Sequence, residues 1–261
     1  MRTPIYQVDA FTTRRFAGNP AAVMPLEAFP ADDVLQAIAA ENNLAETAFL
    51  VRNGEGWRLR WFTPGTEVPL CGHATLASAW VVTQRLEPGS TNVAFETRSG
   101  TLTVRRDGER FVMNFPARTF APIDVPQGLE AALGSRPLET FHDSLNFVAL
   151  LKDAATVRGL TPDMGALERL DAFGILITAA GDEGYDCVSR YFAPRKGIPE
   201  DPVTGSAHCG LAPFWSGRLG KSEIRAYQAS PRGGEVLCRV VGDRVELEGS
   251  CAFYLEGEVE I

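Results

Sequence analysis

"RWFTPGTEVPLCGHATLASAW", residues 60–80, and "RYFAPRKGIPEDPVTGSAHCGLAPFW", residues 190–215, follow one plan. Each runs from a strand-like Arg-aromatic-Phe step through a turn rich in Pro and Gly into a run of small apolar residues with helical character. Arg60-Trp61-Phe62-Thr63-Pro64 aligns with Arg190-Tyr191-Phe192-Ala193-Pro194 at an offset of 130 residues, and Val68-Pro69 aligns with Ile198-Pro199 at the same offset. Three inserted residues then bring Gly72-His73-Ala74 over Gly205-Ser206-Ala207. A period this long is not that of a solenoid, whose units repeat every 20 to 50 residues or so. The pattern predicts two similar halves produced by duplication.

Around the first phrase, Ile5 to Val8 and Ala21 to Met24 read as strands, and "ADDVLQAIAAENN" spaces Val34, Leu35 and Ile38 as a helix does. "ETAFLVR" and "WRLRWF" read as strands joined at the Asn53-Gly54 turn, and a helix is expected over Gly72 to Gln84. A meander through "VAFET", "TLTVRR" and "RFVMNF" follows, with an Asp107-Gly108 hairpin. Around the second phrase, "NFVALL", "GILITAA" and "CVSRYF" are expected strands, with helices near Met164 to Leu170 and from Gly205, and further strands to Ile261. Strands outnumber helices and the turns are of hairpin type, so the fold class is α+β with mixed or antiparallel sheets. Three prolines interrupt the pattern in "PARTFAPIDVPQG", residues 116–128. The expected halves are therefore 1–118 and 119–261, with terminal strands free to cross over.

A chain of 261 residues with 45% hydrophobic and 22% charged residues has the composition of an ordinary folded protein of one large or two small domains. Its net charge of −8 and its lack of any Lys/Arg cluster argue against nucleic acid as a partner. There is no apolar stretch of signal-peptide or membrane-span length, so a cytoplasmic protein without a membrane partner is expected. Five cysteines, an odd number, point to free thiols rather than a disulfide framework.

A helix start exposes unpaired backbone N–H groups and a partial positive charge, which suits an anion where glycine allows close approach. Gly72-His73 and Gly205-Ser206 supply two such starts, although each glycine alone also serves a sharp strand-to-helix turn. Glu46 opens a strand whose alternation puts it on one face with Ala48 and Leu50. A carboxyl placed on an apolar face is poised for acid/base work near neutrality, whereas an exposed or Arg-paired Glu is not. His73 suits acid/base work or anion binding as well as a plain helix start. Asp201 is either a second site carboxylate that orients His73 or a turn acid before proline, and Ser206 either binds substrate or caps its helix. Cys71-x-His73 and His208-Cys209 match no common zinc spacing, so no metal is expected. The absence of G-x-S-x-G, G-x-G-x-x-G and Walker A patterns removes the usual hydrolase and nucleotide readings.

Taken in order, "VDAFT", "FAGNPAAV", "NLAETAFL", "RWFTPGTEVPLCGHAT", "EDPVTGSAH" and "QASPRGGEV" resemble the PhzF-like phenazine biosynthesis family, which is related to diaminopimelate epimerase. The resemblance runs nearly end to end. It implies two pseudo-symmetric halves, each a sheet curled around a central helix, with the two helix starts serving one active site. It also implies a homodimer and an isomerase that needs no cofactor and shifts a proton within a small carboxylate. The family's characterised activity is on trans-2,3-dihydro-3-hydroxyanthranilate. The family's acid/base glutamate matches Glu46, and its other site residues match His73, Asp201 and Ser206. The epimerase branch uses two cysteines across its substrate carbon; here the first position holds Cys71 and the second Thr204. A single-carboxylate shuttle is therefore expected, with an epimerase or racemase of a hydroxy- or amino acid, or a metabolite-binding protein without catalysis, as the alternatives.

Overall fold

The computed structural model describes residues 2–143 and 145–261, which divide into two compact units, Met1–Asn114 with Glu248–Ile261, and Phe115–Leu247. In the first unit the elements are β1 (Arg2–Ala10), β2 (Asn19–Leu26), α1 (Asp32–Asn42), β3 (Glu46–Asn53), β4 (Gly56–Phe62), β5 (Glu67–Val68), α2 (Gly72–Val81), β6 (Asn92–Thr97), β7 (Gly100–Asp107) and β8 (Arg110–Pro116). In the second they are β9 (Ala121–Ile123), α3 (Leu129–Leu133), β10 (Glu139–His142), β11 (Asn146–Leu150), α4 (Ala154–Gly159), α5 (Met164–Glu168), β12 (Gly174–Ala180), β13 (Cys187–Ala193), β14 (Ile198–Asp201), α6 (Gly205–Leu219), β15 (Glu223–Gln228) and β16 (Gly234–Val241). The last strand, β17 (Arg244–Glu260), leads the chain back into the first unit, where residues 251–260 pair antiparallel with β1 along its whole length.

The pairing patterns of the two units carry the duplication further than the sequence does. In the first, β1/β2 is antiparallel, β2/β3 parallel, β3/β4 antiparallel, β4/β6 parallel and β6/β7 antiparallel. In the second, β10/β11, β11/β12, β12/β13, β13/β15 and β15/β16 repeat that alternation step for step. Each unit also places a short antiparallel strand, β5 or β14, just before its long helix. The internal braces match as well. Arg60 on β4 makes two parallel bonds of 2.8 Å to Glu67 on β5, and Arg190 on β13 makes the same fork, at 2.7 and 2.9 Å, to Glu200 on β14. Such a fork holds two planar groups in one orientation and so fixes the strand pair that leads into the helix.

Both long helices are apolar nearly all round, as buried helices are. Residues 73–79 and 81 of α2 are buried, and the helix packs on β1, β2 and β3. In α6, Ala207 to Ala212 are buried, and Trp215 donates Nε1–H to Thr178 Oγ1 of β12 at 3.0 Å. A β-carbon on Gly210 would lie 2.3 Å from Cε1 of Phe120, so the helix approaches that ring as closely as only glycine allows.

The expected strands and principal helices are present, with differences of detail. The helix expected to Gln84 is regular to Val81 and continues as a π-helical turn over Val82–Leu86. In α1 it is Leu35 and Ala39 that are buried, while Val34 is 39% exposed. The Pro-rich stretch read as a break contains β9, which pairs with β10. All five cysteines are free thiols. No helix among the described residues is long and apolar enough to cross a membrane.

Candidate active site

The parallel pairing of β2 with β3 sets Ala21 opposite Glu46, so the start of β2, with Asn19, lies beside the carboxylate. The alternation expected of β3 holds: Ala48 and Leu50 are fully buried on the face they share with Glu46, while Phe49 and Val51 join the cluster around α1 on the other. The helix α2 begins against this edge of the sheet and delivers Cys71 and His73. His73 Nε2 lies 2.9 Å from Glu46 Oε2, and both side chains are mostly buried, at 6% and 13% exposure. The ring N–H is not directed along this contact, so the pair meets as an ion pair rather than as an aligned hydrogen bond. On the other side of the ring, Asn19 Nδ2 is 3.1 Å and Cys71 Sγ 3.5 Å from Nδ1.

Burial works against a charge on His73, but the Cys71 sulfur and the Glu46 carboxylate outweigh it and hold the imidazole well above its usual 6.5. Burial first, and then the Glu46 charge, push the Cys71 thiol up, while His73 acts in the opposite direction. The Ala74 N–H supports the Cys71 sulfur. The first helical bond here is Thr75 N–H to Cys71 O, which leaves the Gly72 and His73 amides without a partner inside the helix.

In the second unit, Asp201, Gly205 and Ser206 gather at the start of α6. Thr204 is the residue at the N-cap, and its hydroxyl donates to Asp201 Oδ2 at 2.6 Å, so the capping position expected of Ser206 belongs to Thr204. Ser206 itself is exposed. Gln228 ties the turn from three sides, donating Nε2–H to Asp201 O and Thr204 Oγ1 and accepting Thr204 N–H at Oε1, at 2.7, 3.1 and 2.8 Å. Ser230 Oγ donates to Pro202 O at 2.8 Å. Thr75 and His208 hold equivalent places in the two helices: Thr75 Oγ1 bonds Cys71 O and His208 Nδ1 bonds Thr204 O, each four residues back.

The structure thus brings Glu46 and His73 together in the first unit and Asp201, Gly205 and Ser206 together in the second. Sequence reasoning gave no role to Asn19, Gln228 or Ser230. "FAGNP" and "QASPRGG" lay in the motifs that carried the resemblance, but which side chains they turn toward the helix starts depends on strand pairing.

The family model described as "Phenazine biosynthesis-like protein", PhzC-PhzF, matches residues 8–257. The chain belongs to this family. A PhzC-PhzF relative in Pseudomonas aeruginosa, an uncharacterized isomerase, is 46% identical over 261 residues, covering all of both chains. The crystal structure of a PhzF-family phenazine biosynthesis protein from Enterococcus faecalis superposes with a TM-score of 0.96 at 43% identity, again over 100% of both chains. A hydroxyproline epimerase from Agrobacterium vitis, solved with trans-4-hydroxy-L-proline bound, is only 11% identical but shares the fold, with a TM-score of 0.63 over 99% of this chain and 92% of its own. The PhzC-PhzF chain described above is therefore an α+β protein of the epimerase-like class.

Proposed function

We propose that this protein is an isomerase that moves a proton within a small carboxylate-bearing metabolite, with Glu46 as the acid/base. The observation that carries the reading is the 2.9 Å approach of His73 to Glu46 in a mostly buried setting. A carboxylate in that position can accept a proton from an activated C–H and return it elsewhere on the same face of the substrate. The His73 imidazolium would steady the carboxylate while it is charged. The Gly72 and His73 amides would bind the substrate carboxylate, as a helix start suits an anion. Asp201, Gly205 and Ser206 are proposed as further contributors on the strength of the family resemblance, with Gln228 holding their turn. The name of the Pseudomonas relative supports the reaction class. The protein's own residues supply the proton transfer in this scheme without a cofactor.

The second reading, an epimerase or racemase, draws on Cys71, whose sulfur lies beside the same imidazole. The Thr204 at the equivalent place in the other half favours the single-carboxylate shuttle.

The test uses purified wild type and Glu46→Gln in D2O with trans-2,3-dihydro-3-hydroxyanthranilate and a panel of small hydroxy and amino acids. Wild type is expected to convert one of them, and Glu46→Gln to be slower by about 10²- to 10⁴-fold. Full turnover by Glu46→Gln would remove the mechanism. Loss of optical purity with complete deuterium wash-in would favour the epimerase.

A further inference from the structure

We propose that Glu46, Cys71 and His73 together form a binding site for one transition-metal ion of borderline softness, with Zn2+ the natural occupant and Co2+ its spectroscopic equivalent. The three side chains each offer one ligand atom, and these atoms all lie within 4.8 Å of one another. Cys71 and His73 are buried and Glu46 nearly so, which removes the competition from water that surface clusters face. One carboxylate oxygen, one imidazole nitrogen and one sulfur are the donor set that suits zinc rather than calcium or magnesium, which prefer oxygen throughout.

His73 Nε2 is buried, and it meets Glu46 as an ion pair rather than as an aligned hydrogen bond. On the opposite side of the ring, Asn19 stands at 3.1 Å from Nδ1. When a histidine binds a metal through one nitrogen, the other N–H needs a hydrogen-bond acceptor, which also fixes the plane of the ring. The Asn19 amide, turned over to present its oxygen, is that acceptor. Ligand atoms around a tetrahedral zinc stand about 3 to 4 Å apart, given bonds of about 2.0 to 2.3 Å. Glu46 and His73 Nε2, at 2.9 Å, stand just inside this spacing and need to part by a few tenths of an ångström to admit the ion. Cys71 completes the set by a turn of its side chain from the Nδ1 side of the ring, binding as thiolate with its proton released to solvent. A fourth position is left for water or a substrate carboxylate, as in zinc sites that keep an open place.

This inference rests on the ligand geometry and not on the isomerase reading, but the two meet at one atom. A Glu46 carboxylate bound to metal cannot collect a proton, so metal occupancy and proton shuttling exclude each other. Zinc is then a reversible inhibitor of the site.

The experiment is a Co2+ titration of the whole metal-free protein, read by the thiolate-to-cobalt charge-transfer band and by displacement with Zn2+. One equivalent of Co2+ is expected to bind wild type with that band, and Cys71→Ser to lose the band. Glu46→Gln, nearly isosteric with the side chain it replaces at the start of its strand, is expected to keep the fold and to bind at least tenfold more weakly. Asn19→Ala, which leaves all three ligands in place, should weaken binding about 10- to 100-fold. The absence of a saturable band in folded wild type at millimolar Co2+ would overturn the proposal. So would a full band in Cys71→Ser, since another thiol would then be the ligand, or unchanged affinity in Glu46→Gln. Deuterium exchange measured in parallel with a chelator present separates the two ideas: exchange without Co2+ binding sinks only the metal site, and Co2+ binding without exchange on any substrate sinks only the isomerase.

Discussion

Two of the three histidines face opposite demands, and their chemistry sets how the protein answers to pH. His208 is fully buried on α6, and burial holds it down at about 4 against an ordinary 6.5. In the unfolded chain it binds a proton near pH 6.5, whereas in the folded protein it does so only near 4. The unfolded state therefore gains protons first as pH falls, and stability is complete above pH 6.5 and is lost between 6.5 and about 4. Going from pH 7 to 5, this residue alone should cost about 2 kcal/mol. His208→Asn should lack that slope, whatever its stability at pH 7, and urea midpoints at the two pH values check it. His73 has the reverse sign. Its imidazole is raised, so its contribution is complete below about 6.5 and fades as pH climbs through its folded value. The pairing of Glu46 with His73 was legible as two candidate residues, because Glu46 falls on the apolar face of a period-2 strand and His73 at a helix start. That they touch was not legible, since it depends on the parallel register of β2 and β3 and on the seat of α2.

At the level of elements, the turns that lead into the site are the places least tolerant of change. Gly18, just before Asn19, has φ of +65°, and a β-carbon there would sit 2.2 Å from Ala10 O. Gly18→Ala should cost upward of about 1 to 2 kcal/mol from the left-handed backbone alone, before the clash is counted. A drop in thermal midpoint with a larger loss of turnover is expected, because Asn19 shifts with it. The twin Arg–Glu forks should respond unequally. Arg190 and Glu200 have side chains only 10% and 14% exposed, so Glu200→Gln strands a buried guanidinium and should cost about 3 to 5 kcal/mol. Arg60 keeps Asp32 at 2.9 Å when Glu67 is replaced, so Glu67→Gln should cost clearly less. Chemical denaturation of the two variants side by side measures the difference. The long strands and helices were legible from periodicity and turn residues. The short ones were not: α3 and α4 have five and six residues, too few for a period to declare itself, and β9 hides among prolines at a sheet position that tolerates them.

For the whole molecule, the duplicated phrase carried most of what could be read, and the matching order of parallel and antiparallel pairs extends it over each unit. The boundary was harder. Three interrupting prolines suggest a break near 118 with terminal strands free to cross over, and the compact units divide at Asn114 and again at Glu248. A terminal strand that joins an early one leaves no local mark, since its partner lies some 250 residues away. That return of the chain has a consequence for synthesis. The first unit is begun first, but the strand that covers β1 leaves the ribosome only after the second unit, which is continuous in sequence and has all its residues by Leu247. The order of completion should therefore run against the order of translation. Nascent chains stalled so that residues to 247 have emerged should show a protease-resistant 115–247 core while the N-terminal part is still cleaved. Resistance over residues 2–114 should appear only once residues 251–260 have cleared the exit tunnel, and a chain stalled before them would leave β1 paired with β2 along one edge and open along the other.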